Sequence, residues 1–278
     1  MTDLDGRARR GVRVPDRLFK GYVFDLDGTV YLGDDLLPGA AEAIAELKRH
    51  ARVVYLTNKP LELPRDYARK LTRLGIETSE REIVSSIDAL LAYLAASAPA
   101  ARLLVVGESV LIDALAAAGF AITEQASEVE IVVVSFDRTF DYRKLKIAFD
   151  AVKGGARIVA TNPDPYCPSP DGGLPDCAAM LAALEACTGA RAEAIVGKPS
   201  RHMAAAVLAR LDLPARDTLL AGDRLATDIK MAREVGMASA LVLTGATRLE
   251  EALLAPEPPD YVIGSLLDLI PAGRLPMG

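Results

Sequence analysis

Four short apolar runs, lying between residues 18 and 222, each stop on a polar residue, and no other feature of the chain constrains its fold as much. Residues 18–24 end at Asp25, 51–56 at Thr57-Asn58, 194–197 at Lys198, and 217–222 at Asp223. Short continuous apolar runs of this kind read as strands buried on both faces, the pattern of a parallel sheet. Helical segments alternate with them: 39–49 opened by Pro38, and 63–74 stopped by Gly75. The alternation predicts an α/β fold, a doubly wound parallel sheet with helices on both faces. Such sheets bind ligands at the carboxyl ends of their strands, where the polar endings are expected to gather.

Asp25-Leu26-Asp27-Gly28-Thr29 is the densest of these endings. Two like charges this close repel, so the pair calls for a cation, and a hard ion such as Mg²⁺ suits carboxylate and carbonyl oxygens. A calcium loop of the EF-hand type is excluded, because its sixth and twelfth positions would be Val30 and Leu36 instead of Gly and Glu.

The other endings carry matching chemistry. Thr57 and Asn58 offer a hydroxyl, an amide and backbone N–H groups to phosphate oxygens, and Lys198 offers an ammonium. Asp223, with Asp228 at the start of the next helix, adds two carboxylates. Each has an ordinary explanation when taken alone: Thr57, Asn58, Asp223 or Asp228 could cap a helix, and Lys198 could be a solvated surface charge. Four independent coincidences on successive strands are a poor explanation, and a phosphate and metal site is the better one.

These residues resemble the haloacid dehalogenase (HAD) superfamily of phosphohydrolases. Asp25-Leu26-Asp27-Gly28-Thr29 looks like its first motif, Thr57 its second, Lys198 its third, and Gly222-Asp223-Arg224-Leu225-Ala226-Thr227-Asp228 its fourth. Val133-Val134-Ser135-Phe136-Asp137-Arg138, Ala160-Thr161-Asn162-Pro163-Asp164 and Val196-Gly197-Lys198-Pro199 are similar to class IIA, the C2-capped NagD-like, p-nitrophenyl phosphatase and phosphoglycolate phosphatase relatives. The resemblance implies a Rossmann-like core, 18–97 and 189–278, with an inserted α/β cap over 98–188; the polar, Arg-rich residues 1–17 read as a flexible N-terminal extension.

The resemblance also implies the chemistry. A Mg²⁺-dependent phosphatase would hydrolyse a small phosphate monoester, such as a sugar or polyol phosphate or phosphoglycolate, through an aspartyl-phosphate. Asp25 would be the nucleophile, and Asp27 would act first as acid and then as base. Asp25, the Asp27 carbonyl and Asp223 would hold the metal, with Asp228 as an outer carboxylate; Thr57, Asn58 and Lys198 would bind the phosphate. Two alternatives share much of this set. A phosphotransferase or phosphomutase would pass the phosphoryl group to a second hydroxyl, and a receiver-like signalling protein would keep it on aspartate. Receivers lack an inserted cap and place their phosphoacceptor on a strand later than the acidic pair.

The insert has its own strand and helix alternation. Its proline- and glycine-rich stretch at 162–175 predicts a long irregular loop facing the active site. Substrate choice is expected from Asn162, Asp164, Tyr166 and Asp176, together with Lys59, which stands where relatives commonly have a second Asn after Thr-Asn. Pro175-Asp176-Cys177-Ala178-Ala179 looks closer to a sugar-phosphate branch of class IIA.

Composition narrows the partners. The 278 residues are 51% apolar, enough for one large or two ordinary domains, and a net charge of −6 argues against nucleic acid or an anionic membrane. A small phosphorylated metabolite remains the expected partner. Cys167, Cys177 and Cys187 have no metal-site spacing and are expected as reduced thiols. His50 and His202, the only histidines, fall at helix ends. The Arg-rich start has no secretory apolar core and no apolar stretch is long enough to span a bilayer, so a cytoplasmic protein is expected. Caps of this subgroup often mediate a homodimer; the oligomeric state stays open.

Overall fold

The computed structural model describes residues 12–167 and 173–271. Contacts divide the chain into two compact units. The first joins the segment ending at Thr57 to Pro64–Val84 and the segment starting at Val207; the second is Asn58–Leu63 with Ser85–Ala206. The insert expected over 98–188 lies wholly inside the second unit, which also takes in the helix Ser86–Ser97 and Lys198.

In the first unit the strands are β1 (Gly21–Asp25), β2 (Tyr31–Leu32), β3 (Asp35–Leu36), β4 (Arg52–Thr57) and β5 (Ile83–Ser85), followed late in the chain by β13 (Thr218–Gly222), β14 (Ala238–Val242) and β15 (Tyr261–Ile263). Six of them form one sheet in the order β15-β14-β13-β1-β4-β5, with β1 parallel to both β4 and β13. β1 and β13 are buried along their whole length, as their continuous apolar runs require. One face carries the cluster of Tyr22, Phe24, Tyr55 and Leu219 with Ile44 and Leu47 of the helix Ala40–Lys48. The other is covered by Ile229, Leu241, Ala252 and Val262. Each fully buried Leu or Phe of this kind contributes roughly 1.5–3 kcal/mol.

Strand order reverses at β1. The chain runs from β1 outward through β4 to β5, and on its return places β13 on the other flank. The crevice at such a reversal, beyond the carboxyl ends of β1 and β13, is the ligand site of open α/β sheets.

Part of the expected N-terminal extension, residues 1–11, lies outside the described residues. From residue 12 onward the expectation is corrected: Arg13 exchanges two main-chain hydrogen bonds with Val262, at 2.8 and 2.9 Å, so this segment adds to the β15 edge. An unpaired strand edge accepts any chain that can lie along it, and an Arg-rich pattern does not announce that.

The second unit is also built on a sheet, of β6 (Arg102–Val106), β7 (Ala121–Ile122), β8 (Ile131–Val134), β9 (Arg157–Ala160) and β12 (Ala194–Ile195), in the order β12-β9-β8-β6-β7. Its core packs Val106, Val132, Val134 and Ile158 against Met180, Leu181 and Leu184 of the helix Cys177–Thr188. The expected irregular loop at 162–175 contains β10 (Tyr166–Cys167) and β11 (Leu174–Pro175), paired antiparallel; residues 168–172 lie outside the described residues.

The run at 194–197 corrects the expectation of four strands in one sheet. β12 pairs with β9 through Ala194↔Val159 and Ile195↔Ala160, so Lys198 leaves the end of the second sheet and not of the first. Two apolar residues suffice to mark a strand but carry no information about its partner. Among the described residues no helix is long and apolar enough to cross a membrane.

Candidate active site

β1 ends on Asp25, 6% exposed, and the chain turns at once: the Leu26 carbonyl accepts from Val30 N–H at 2.9 Å, and Gly28 N–H donates to the Tyr31 carbonyl at 2.8 Å. This turn keeps Asp27 half-buried, two residues beyond the strand. The two acids of the motif thus stand in different surroundings, as an unequal division of roles between them requires. Thr29 Oγ1 lies 3.5 Å from Asp25 Oδ2.

β13, in register beside β1, delivers Asp223, 4% exposed. Its Oδ2 accepts from Ala246 N–H at 2.7 Å and its carbonyl from Thr247 N–H at 3.2 Å, so the loop after β14 wraps around it. Thr244 Oγ1 ties that loop to the first motif by donating to the Gly28 carbonyl at 2.7 Å. The loop was not expected to take part. Its only sequence signal is that Thr244-Gly245 follows a strand that turns out to lie next to β13.

The helix after β13 opens with a π turn, Leu225–Ile229, a local winding common at functional sites. It carries Asp228, which is fully buried, back toward the strand end; Arg224 N–H and the Thr227 hydroxyl donate to its Oδ2 at 3.2 and 3.4 Å. The approach is so close that a Cβ on Gly222 would stand 2.3 Å from the Asp228 Cγ. Only glycine serves there.

Asp25, Asp223 and Asp228 each present a carboxylate oxygen, all within 4.8 Å of one another, and all three are buried. Three hard oxygen donors converging at this spacing fit Mg²⁺. Asp228, expected behind the metal, offers its oxygen in the same cluster as the other two. Thr57 ends β4, one residue past the Leu56 that pairs with Asp25, and is 3% exposed.

In the second unit, Asn58 is 8% and Lys198 4% exposed, and Asn58 Oδ1 accepts from Lys198 N–H at 2.8 Å. Of the residues expected to choose substrate, Tyr166 is half exposed, Lys59 and Asp164 are half-buried, and Asn162 and Asp176 are buried. Asn162 Nδ2 lies 3.4 Å from Asp176 Oδ1, and Asp176 also accepts from Cys177 N–H at 2.6 Å, capping the helix Cys177–Thr188. Burial, with Asp164 nearby, pushes the Asp176 carboxyl up to about 6.

The two histidines have partners within the scaffold. His50 pairs with Glu46 at 3.1 Å, and the His202 ring packs edge-on against Tyr93 with centroids 4.9 Å apart. No disulfide joins Cys167, Cys177 or Cys187, and burial pushes the Cys177 thiol up to about 12, which leaves it inert.

A doubly wound sheet with three buried carboxylates converging at its switch point defines the class: an α/β protein with a carboxylate cluster that could hold a hard cation. Two family models match this chain, one for haloacid dehalogenase-like hydrolases over residues 22–121 and a second, HAD-hydrolase-like, over residues 195–269. The chain belongs to the haloacid dehalogenase-like hydrolases. It is 39% identical to the sugar-phosphatase AraL of Bacillus subtilis over 90% of this chain and 91% of that protein. The solved 4-nitrophenylphosphatase of Thermotoga maritima superposes with a TM-score of 0.86 at 34% identity, over 90% of this chain and 96% of that one. The glycerol phosphate phosphatase of Mycobacterium tuberculosis, solved with magnesium, gives a TM-score of 0.85 at 31% identity, over 93% of this chain and 78% of that one.

Proposed function

We propose that this chain is a cytoplasmic Mg²⁺-dependent phosphatase of small phosphate monoesters, sugar or polyol phosphates or phosphoglycolate, that works through an aspartyl-phosphate. The observation that carries the reading is the cluster of Asp25, Asp223 and Asp228 at the strand reversal of the first sheet. The activities for which these relatives are named, on sugar, nitrophenyl and glycerol phosphates, support the substrate class. Cysteines without disulfides support a reducing compartment.

Asp25, Asp223 and the Asp27 carbonyl would hold the ion, with Asp228 beside them. Mg²⁺ supplies the positive charge that lets an anionic ester approach an anionic carboxylate. Asp25 attacks phosphorus in line with the ester oxygen; a bond from its carboxylate to phosphorus forms and the ester P–O bond breaks. The departing alkoxide is strongly basic and takes its proton from Asp27. Asp27, now ionised, accepts a proton from the water that attacks the same phosphorus, which frees inorganic phosphate and restores Asp25. Thr57, Asn58 and Lys198 stabilise the phosphoryl oxygens as charge spreads over them. The α/β insert at 98–188 acts as the cap, with Lys59 and Tyr166 among the residues that select the substrate.

Phosphate release from a panel of sugar phosphates, polyol phosphates, nucleotides, phosphoglycolate and pyridoxal phosphate, with added Mg²⁺, tests this. Release from one or more small esters, lost on chelation, is the expected result. A flat panel contradicts the reading. Consumption of ester without phosphate release, dependent on a second sugar, turns it into phosphoryl transfer.

A further inference from the structure

We propose that Asn58 is a positioning residue: its side chain locks the main chain of Lys198 and is itself oriented by Asp164, so that the lysine is delivered to one place. The inference deepens the phosphatase reading above and rests on it. Every polar end of the Asn58 side chain is taken up within the second unit. Its Oδ1 accepts from Lys198 N–H at 2.8 Å, while Nδ2 lies 3.3 Å from the Lys198 carbonyl and 2.9 Å from Asp164 Oδ2. An amide has two N–H donors, and both have acceptors here.

Paired bonds to the N–H and C=O of one residue are what a neighbouring strand would offer. They stand where the ladder stops: β12 ends at Ile195, and Val196 N–H makes a last bond to the Ala160 carbonyl at 2.9 Å. Asn58 therefore takes over from β9 as the partner of the segment that carries Lys198. Its orientation is unique, because turning the amide over would set N–H against the Lys198 N–H and oxygen against the Asp164 carboxylate.

The anchor is itself anchored. The Asn58 carbonyl accepts from Ser86 Oγ at 2.8 Å and from Asn162 Nδ2 at 3.3 Å, and Asn162 is fully buried. Gly197 makes the approach possible: a Cβ there would stand 2.7 Å from Asn58 Oδ1 and 2.4 Å from the Thr161 carbonyl. A lysine is a flexible point charge, so the part of it that a fold can hold still is its backbone. Asn162 and Asp164, expected to touch substrate, are positioning residues in this account, and any contact of Asn58 with phosphate comes from its main chain.

The test combines single-amide hydrogen exchange with a mutant cycle on the full chain, using a small ester hydrolysed by the wild type. Asn58→Ala is expected to speed exchange of the Lys198 amide and to lower kcat about 10- to 100-fold with little change in KM, the scale of a catalytic group displaced by about an ångström. In a Lys198→Ala background the same change is expected to cost nothing further. Should Asn58→Ala fail to fold, Asp164→Ala is expected to show a smaller version of both effects, and Asp164→Asn, which keeps an acceptor, to reverse them. An unchanged Lys198 amide, or a loss that multiplies with that of Lys198→Ala, overturns the clamp and returns the Asn58 side chain to the phosphate. A wild type that releases no phosphate sinks the phosphatase reading instead, and the exchange measurement then decides the clamp by itself.

Discussion

Both units are parallel sheets whose strand order reverses, and they finish the reversal in opposite ways. In the first, the ends of β1 and β13 and the π turn behind them crowd three buried carboxylates within 4.8 Å. In the second, the order turns at β6, and the residues following β6, β8 and β9 satisfy each other. Arg138 makes a bidentate pair with Glu108, both contacts at 2.6 Å; Lys144 meets the buried Asp137 at 2.6 Å; and the Ser135 and Thr161 hydroxyls bond at 2.9 Å. The Arg138 guanidinium holds the Glu108 carboxyl below the usual range. Complementary charges complete a fold without help, whereas crowded like charges cost stability until a cation joins them. The same architecture yields one reversal that gathers three carboxylates and one that pairs opposite charges.

The comparison breaks most visibly if the carboxylates of the two reversals can be exchanged in importance. Asp25→Asn, nearly isosteric, is expected to fold and to lose at least about 10⁴-fold in kcat, read as phosphate release, because the nucleophile is gone. Mg²⁺ is expected to raise the unfolding temperature of the wild type by several degrees, about 2.7 kcal/mol at a hundredfold excess over its dissociation constant, and Asp223→Asn to abolish that rise. A differential scan with and without chelator decides it.

Within the second unit the expected effects are smaller. The Asp176 carboxyl ionises with more difficulty folded, at about 6, than in an unfolded chain, at about 3.9, so its ionisation removes stability as pH climbs between those values. Asp176→Asn is expected to gain over the wild type across that window, by about 1–3 kcal/mol, and to gain nothing more above pH 7. Denaturation midpoints at pH 4 and pH 7 test this; a constant difference contradicts it. Glu108→Gln breaks an exposed pair of the balanced reversal and is expected to cost about 0.5 kcal/mol or less and to leave turnover unchanged.

Much of this was legible in the chain. Continuous apolar runs gave β1, β4 and β13, and their stops at Asp25, Thr57 and Asp223 pointed to the edge that the reversal creates. The insert's alternation includes the helix Tyr142–Lys153, which Asp141 caps by accepting from Lys144 N–H. What escaped was information that periodicity does not contain. The two-residue strands β2 and β3 are too short to show alternation, the helix Leu249–Leu254 is too short to show a stripe, and a π turn leaves no mark on an apolar pattern. The partner of β12 is a long-range choice, and so is the occupation of Asn58, whose amide reads in sequence as a ligand for phosphate and in space as a splint for Lys198.

The central claim is that Asp25 carries the phosphoryl group during turnover. Acid quench of the Mg²⁺-loaded enzyme with a small ester, followed by peptide mass mapping, tests it most directly: the account predicts an acyl-phosphate on Asp25 that is lost in Asp25→Asn. An active enzyme with no phosphorylated peptide, or with the label on another residue, would contradict it.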